Sequence, residues 1–481
     1  MATRKNQGKS NSGNDFQFGD ERLNNRAVKM IKKMSKKSEK SIPQIFSSNA
    51  ELHGAYRFLH NYNVSPEKIL EPHKKMTIRR CAKLDCVVII QDTSDVSFDH
   101  IQDLEGLGST QSGIDRGIRL HPQLAVSESG TPLGVIDALM YTRLDNDKPT
   151  KHRNQLPIEE KESYRWLKGF ISTCEIAKEC PDTTFVSISD REGDIYECFE
   201  AALSPDMPAN AHVLIRSQHN RVLSNPSSEM ENKLERKLIR SSVAYSAEVT
   251  VNEKGKKKRS ALVNIRAKNV SIKGPATSLK KKSPPLNLNA VMVSEVDPSK
   301  SCKPLSWVLL TTLPINTPEE IRRIVSLYMK RWQIEVYFKT LKSGCRIDAL
   351  QLRSVSGIHN YMALSLIAAW KVMLTTYFPR EYPNASCTTV FTDLEWRLVY
   401  LAAYENKKPL PEEPPTLMEI TRLVASLGGY VKKKTPPGVQ TVWRGIVRLM
   451  DMVEGYNMAQ EIGKIPCQQV ELIAMERCVE L

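Results

Sequence analysis

Residues 84–98 read LDCVVIIQDTSDVSF, and this stretch constrains the fold more than any other. It opens on a short continuous apolar run and then alternates, which is the pattern of a buried strand. The next segments have the same character. QLAVSES and TPLGVIDALMYT, within 123–142, read as strands of a meander. A charged helix is expected at 159–179, then strand, loop and helix across TTFVSISDREGDIYECFEAAL (183–203), then a strand at HVLIRS (212–217). Strands first, then alternating helix and strand, make an α/β domain.

The flanks differ from this core. Residues 1–15 are polar and expected to be disordered. From Phe16 to about Glu71 the pattern is helical. In GDERLNNRAVKMIKKMSKK the residues Leu23, Val28, Ile31 and Met34 fall roughly on one face, with arginines and lysines around the rest. Such a module suits DNA binding or serves as a solvated cap on the next domain. Residues 222–316 are β-rich, an antiparallel insertion whose turns EKGKKKRS (253–260) and SLKKKSPP (278–285) are rich in lysine. After an apolar helix at 362–374 the tail is mostly helical, interrupted at 407–416 and 428–438. The expected division is therefore 1–75, 76–375 with the insertion inside it, and 376–481.

Charge narrows the partner. The chain carries 69 Lys+Arg against 54 Asp+Glu, a net of +15, which favours a polyanion. A membrane is the weaker choice, because the run 362–374 is short and holds Lys371. No apolar segment follows the basic N-terminus, so no secretory signal is expected. The 10 cysteines show no CxxC pair and no zinc spacing, and read as reduced thiols of a cytoplasmic protein. HExxH, Walker A and GxGxxG patterns are missing, so nucleotide-driven chemistry has no support.

One stretch carries chemistry. TPEEIRRIVSLYMKRWQIEVYFKTLKSG, 317–344, reads as a single strong helix with a capping box at Thr317 and Glu320 and Pro318 at its first position. At about 100° per residue, Tyr328, Arg331, Glu335, Lys339 and Lys342 share an arc of about 80°. Cations at this spacing suit a phosphate backbone, and a carboxylate among them suits a divalent metal on that phosphate. Equally, Arg331–Glu335 and Glu335–Lys339 have ordinary i,i+4 salt-bridge spacing. Asp92 follows the run VVII and Asp190 follows FVSIS; each could be a strand-end turn residue, but a buried charge there is costly unless used.

Together these residues resemble the RNase H-like DDE transposases. The spacing Y-x2-R-x3-E-x6-K, met by Tyr328, Arg331, Glu335 and Lys342, is similar to the Y-R-E-K signature of the bacterial insertion-sequence-four family. SDREGDIY, QDTSDVSF, GAYRFLHNYNVS and LSWVLLTT also look similar to that family, in the same order along nearly the whole chain. The resemblance implies an RNase H-like catalytic core with an antiparallel β insertion, between an N-terminal helical DNA-binding domain and a C-terminal helical dimerisation domain.

It further implies that Asp92, Asp190 and Glu335 hold two Mg²⁺ ions, which Mn²⁺ can replace. Tyr328, Arg331, Lys342 and Lys339 would grip phosphates, with Tyr328 facing the DNA and Phe338 packing the core. Trp307 would stack a flipped terminal base, Arg216 would stand beside the site, and Arg22 and Arg26 would contact transposon-end DNA. Leu23 stands where the family has a second arginine. The implied activity is cut-and-paste transposition: nicking, hairpin formation, reopening and joining of 3′ ends to target DNA by a homodimer, in the bacterial cytoplasm at the nucleoid. A decayed or domesticated DNA-binding derivative and an RNase H-like nuclease are the alternatives.

Overall fold

The run VVII lies in a strand β1 (Cys86–Gln91), buried at every position. A short strand β2 (Ser94–Ser97) continues it in line. After β3 (Gly108–Ser109), the long strand β4 (Arg116–Ser127) runs back along both, with Gln91 opposite Gln123 and Ser94 opposite Leu120 in one unbroken register. The strand lapses at Asp92 and Thr93. By that register Asp92 stands opposite Pro122, which has no N–H to give a ladder. The other edge of β4 takes β5 (Pro132–Tyr141).

On its far side β1 pairs in parallel with β6 (Thr184–Ser189), and β6 in parallel with β7 (Ala211–Arg216). Parallel neighbours need crossovers. The helices Tyr164–Glu179, after β5, and Tyr196–Ala202, after β6, supply them. The order β5–β4–β1–β6–β7 is that of an RNase H-like core. The β-rich segment forms β8 (Val243–Val251), β9 (Arg259–Ile272), β10 (Leu286–Glu295) and β11 (Ser306–Thr311), antiparallel throughout. It is not a separate sheet. β11 pairs with β7, so one sheet of 11 strands runs through core and insertion.

A computed structural model describes residues 15–463, except 38, 47, 102–103, 112, 144–155, 227, 252–258, 276–282, 299–303, 406 and 432–434. The polar N-terminus up to residue 14 and the lysines of the two insertion turns lie outside the described residues.

Four helices precede the sheet: α1 (Glu21–Lys36), the single turn α2 (Ile42–Ile45), α3 (Asn49–Leu59) and α4 (Pro66–Cys81). Within the sheet region come α5 (Tyr164–Glu179), α6 (Tyr196–Ala202) and α7 (Leu234–Ile239). The buried stripe of α1 is Ala27, Met30 and Met34, while Val28 and Ile31 are only partly buried. Spacing of three and four residues decides this face, and the stripe packs on α3 and on the long helix Val355–Glu381. Part of the expected basic face is used inside the molecule. Lys33 pairs with Glu51, Lys36 with Glu395 and Lys37 with Glu454.

After the sheet, α8 (Pro318–Met329) and α9 (Gln333–Lys339) lead to α10 (Val355–Glu381). At 27 residues α10 is far longer than the apolar run suggested, and by length and composition it could cross a membrane. Instead 72% of its apolar window is buried in the protein, against α1, α4 and β5. It is the post around which the helical flanks and the sheet are assembled.

The last helices, α11 (Asp393–Ala403), α12 (Leu417–Leu427) and α13 (Val439–Ile462), enclose their own core of Trp396, Leu417, Val424, Val442 and Leu449. Here α12 and α13 touch backbone to backbone. A Cβ on Gly445 would lie 1.8 Å from the Val424 carbonyl oxygen. Overpacking of this kind costs about 1–3 kcal/mol. Gly445→Ala is expected to lower the thermal stability of the chain by that order, read by calorimetry. A variant that melts with the wild type would show that the two helices have slack.

Candidate active site

Register brings the two aspartates together. β1 and β6 are adjacent and parallel, with Ile90 opposite Ile188. Two residues further along each strand stand Asp92 and Asp190, side by side at the carboxyl ends of the strands. A change of register by one residue would separate them.

Glu335 arrives from above. The capping box of Thr317 and Glu320, with Pro318 inside the first turn, starts α8 directly after β11. Ile321, Ile324, Leu327 and Tyr328 bury its inner face, and Ile334 and Tyr337 continue that face in α9. The segment 318–344 is not the single helix expected. A 3₁₀ turn at Lys330–Trp332 separates α8 from α9, and a π turn at Thr340–Gly344 ends the run. The Thr340 carbonyl accepts from the Cys345 N–H, 2.8 Å away, while the Thr340 hydroxyl donates back to the Val336 carbonyl.

The three carboxylates surround one guanidinium. Arg331 Nη1 lies 3.5 Å from Asp92 Oδ2, and its Nη2 lies 2.8 Å from Glu335 Oε1 and 4.0 Å from Asp190 Oδ2. Thus the ordinary i,i+4 ion pair and the convergent triad are both present, joined at Arg331. Among the described residues no group of three or more His, Cys, Asp or Glu side chains stands close enough to hold a metal ion as placed. The donor set nevertheless fits a hard divalent cation: only carboxylate oxygens, all within reach of one shared positive charge. Occupation by such an ion requires the guanidinium to give up the centre.

The remaining expected residues divide. Tyr328 is buried, and its hydroxyl donates to Asp190 Oδ1 at 3.3 Å. The Trp307 ring lies 5.9 Å from the Tyr328 ring, which sets it beside the same pocket. Arg216, last residue of β7, reaches to 3.8 Å from Asp190. Lys342 sits half-buried in the π turn, and burial lowers its pKa against the opposing fields of Asp348 and Asp95. Lys339 points elsewhere, donating to Gln440 on α13 at 2.8 Å. Its backbone still follows Glu335 by four residues within the unbroken α9, so it is the long side chain that turns away from the arc. Arg22 is exposed and paired with Asp20, and Arg26 lies over Gly54 of α3. Phe338 is partly buried against the core, where Tyr337 is the fully buried ring.

Sequence reasoning missed a second ring of groups: Thr93, His121, Arg165 and Glu192. Arg165 could have been found as an arginine on the buried stripe of α5, which also holds Trp166, Gly169 and Phe170. Burial, with Arg165 and Arg119 adding to it, holds His121 neutral with a pKa of about 3.

Electrostatics mark Asp92 out. Burial pushes its carboxyl up to about 6, with Asp190 and Glu192 adding to the rise and the Thr93 N–H and Arg331 opposing it. For Arg331 burial works against the charge, but the Asp190 field and the Glu335 hydrogen bond outweigh it and raise its pKa. Burial likewise raises the Tyr328 hydroxyl to about 12.

Three families match the chain in the order of its parts. Transposase DNA-binding matches residues 10–64, the transposase DDE domain residues 113–371, and the transposase Tn5 dimerisation domain residues 367–465. The DDE match holds Asp190 and Glu335 and begins after Asp92, which the strand register ties to Asp190. Among solved structures, a piggyBac transposase in a cryo-EM synaptic complex with hairpin DNA is similar at 11% identity, over 87% of this chain and 82% of that one, with a TM-score of 0.32.

The position of Asp92 makes stability depend on pH. Its folded pKa, about 6, lies above the ordinary 3.8, so its contribution is fully present below pH 3.8 and lost as pH rises through 6. Asp92→Asn removes that loss. Relative to wild type the variant is expected to gain roughly 2–3 kcal/mol between pH 4 and pH 7, measured by denaturant unfolding without divalent metal. A constant difference across that range would refute the raised pKa.

Proposed function

The chain belongs to the transposase DDE family, and from that premise we propose that it is a cut-and-paste enzyme. It binds the ends of the element that encodes it, cuts them by hydrolysis and hairpin formation, and joins the freed 3′ ends to target DNA. The observation that carries this reading is the convergence of Asp92, Asp190 and Glu335 on one positive charge, at the carboxyl ends of two parallel strands.

The reaction is phosphoryl transfer in line. A water or a 3′-hydroxyl attacks phosphorus, the old P–O bond breaks, and the 3′-oxygen leaves. Asp92, Asp190 and Glu335 would hold Mg²⁺, as two ions that Mn²⁺ could replace, and the metal would supply a more acidic nucleophile and charge stabilisation of the leaving oxygen. The chain's own residues do the rest. Tyr328 holds Asp190 by a hydrogen bond, and Arg216 balances the charge of that carboxylate. Arg331, released from the carboxylates, turns its planar fork of donors to the scissile phosphate. Lys342 adds a second cation. Trp307 offers a π face next to Tyr328 for a base turned out of the duplex during hairpin closure. Because only the nucleophile changes from step to step, one site serves every transfer, and no covalent protein–DNA link is needed.

The basic N-terminal helices and the C-terminal helices complete the assembly, as a homodimer holding two ends. Asp190→Ala and Glu335→Ala are each expected to reduce cleavage of duplexes carrying the element's ends below detection while leaving DNA binding within about threefold. Trp307→Ala should still nick but form fewer hairpins. Cleavage by Glu335→Ala at the wild-type rate would sink the mechanism.

A further inference from the structure

Behind the carboxylates lies a run of buried and part-buried hydrogen bonds that starts from an obligate donor. Arg165 can only donate, and its Nε donates to Thr93 Oγ1 at 2.8 Å. The Thr93 hydroxyl therefore has its own proton free for His121 Nδ1, 2.9 Å away. Gln91 Nε2 donates to Ser187 Oγ at 2.8 Å, which leaves Gln91 Oε1 to accept from His121 Nε2 at 3.1 Å. His121 is thus neutral, with its proton on Nε2. The same Arg165 donates through Nη2 to Glu192 Oε2 at 2.7 Å and through Nη1 to the Glu162 carbonyl at 2.8 Å. Its side chain is 7% exposed.

The two arms of this fork end beside the two aspartates. Thr93 follows Asp92, and its N–H donates to Asp92 Oδ1 at 2.8 Å. Glu192 lies two residues beyond Asp190, in the loop that carries it. Because the ladder lapses at Asp92 and Thr93, no strand pairing holds that segment; the side-chain fork does. Glu192 is also a fourth carboxylate near Asp92, and Arg165 holds its charge outside the triad.

We propose that Arg165 is a positioning residue: through Thr93 and Glu192 it clamps the two strand ends at the spacing the metal-binding carboxylates need, and keeps Glu192 from joining them. This rests on the reading of the site as a metal-dependent transposase centre. Removal of partners behind metal ligands usually costs about 10–100-fold in metal affinity.

The test uses the full chain assembled on duplexes carrying the element's ends, with Mn²⁺ titrated in and free ion followed by its electron paramagnetic resonance signal. Arg165→Met keeps the bulk of the side chain and removes every donor; it should weaken Mn²⁺ binding tenfold or more. Thr93 supplies the sharper comparison. Thr93→Val keeps the shape and loses the hydroxyl, whereas Thr93→Ser keeps the hydroxyl and loses the methyl. Positioning through the fork predicts weakened Mn²⁺ binding for Thr93→Val and near-wild-type binding for Thr93→Ser. The opposite order, as packing alone would give, overturns the proposal, as does unchanged Mn²⁺ affinity in both Arg165→Met and Thr93→Val. If Arg165→Met fails to fold, the threonine pair decides. Absence of Mn²⁺ binding by the wild-type complex would instead overturn the functional reading itself, and this inference with it.

Discussion

Two carboxylates at the ends of adjacent parallel strands repel each other, and Arg331 is the charge that lets them stay. At a separation of 4 Å and an effective dielectric near 20, unit charges interact by about 4 kcal/mol. Asp92 and Asp190 are forced close by the pairing of β1 with β6, and Glu335 is added by the helix above them. A single guanidinium touching or facing all three offsets that repulsion. The sheet register, the landing of α9 over β1 and the buried position of Arg331 are therefore parts of one solution.

The helical segment that carries Glu335 is broken on both sides of it. Lys339 lies four residues after Glu335 in the same unbroken α9, and only its side chain leaves the site, for Gln440. Arg331 stands in the 3₁₀ turn and faces inward, and Lys342 stands in the π turn within the field of Asp95. Departures from regular hydrogen bonding cluster where chemistry must be aimed. In this chain they fall on both sides of the seven residues that carry Glu335.

Much of this was legible in the sequence, and the boundary of legibility has physical causes. VVII and FVSIS announced two buried strands because a continuous apolar run has few other uses, and the aspartates after them were conspicuous for the same reason. The start of α8 was written in Thr317, Pro318 and Glu320. Ideal helical geometry, though, could not foresee the two breaks, since those depend on what the helix packs against. Tyr328 was set on the arc of Glu335 by angle alone, and its hydroxyl meets Asp190 there. The join of β11 to β7, which fuses insertion and core, is a long-range pairing that no local pattern reports. The Arg165 fork was hidden for the same reason: its partners Thr93, in the gap after β1, and Glu192, in the loop after β6, lie far from it in sequence.

A balance of charge governs the site as a whole. With the triad, Glu192 and Asp95 on one side and Arg331, Arg165, Arg119 and Arg216 on the other, the free pocket holds nearly as many cations as anions. Such a pocket neither strongly attracts a divalent ion nor strongly repels a phosphate. Bringing in both together changes the balance at once, because the phosphate gives Arg331 a new partner and the ion gives the carboxylates theirs. Neither half of the exchange leaves a buried charge unpaired, whereas either half alone would cost several kcal/mol. On the proposed reading, DNA and metal would therefore be coupled through the same Arg331 contact that holds the carboxylates together.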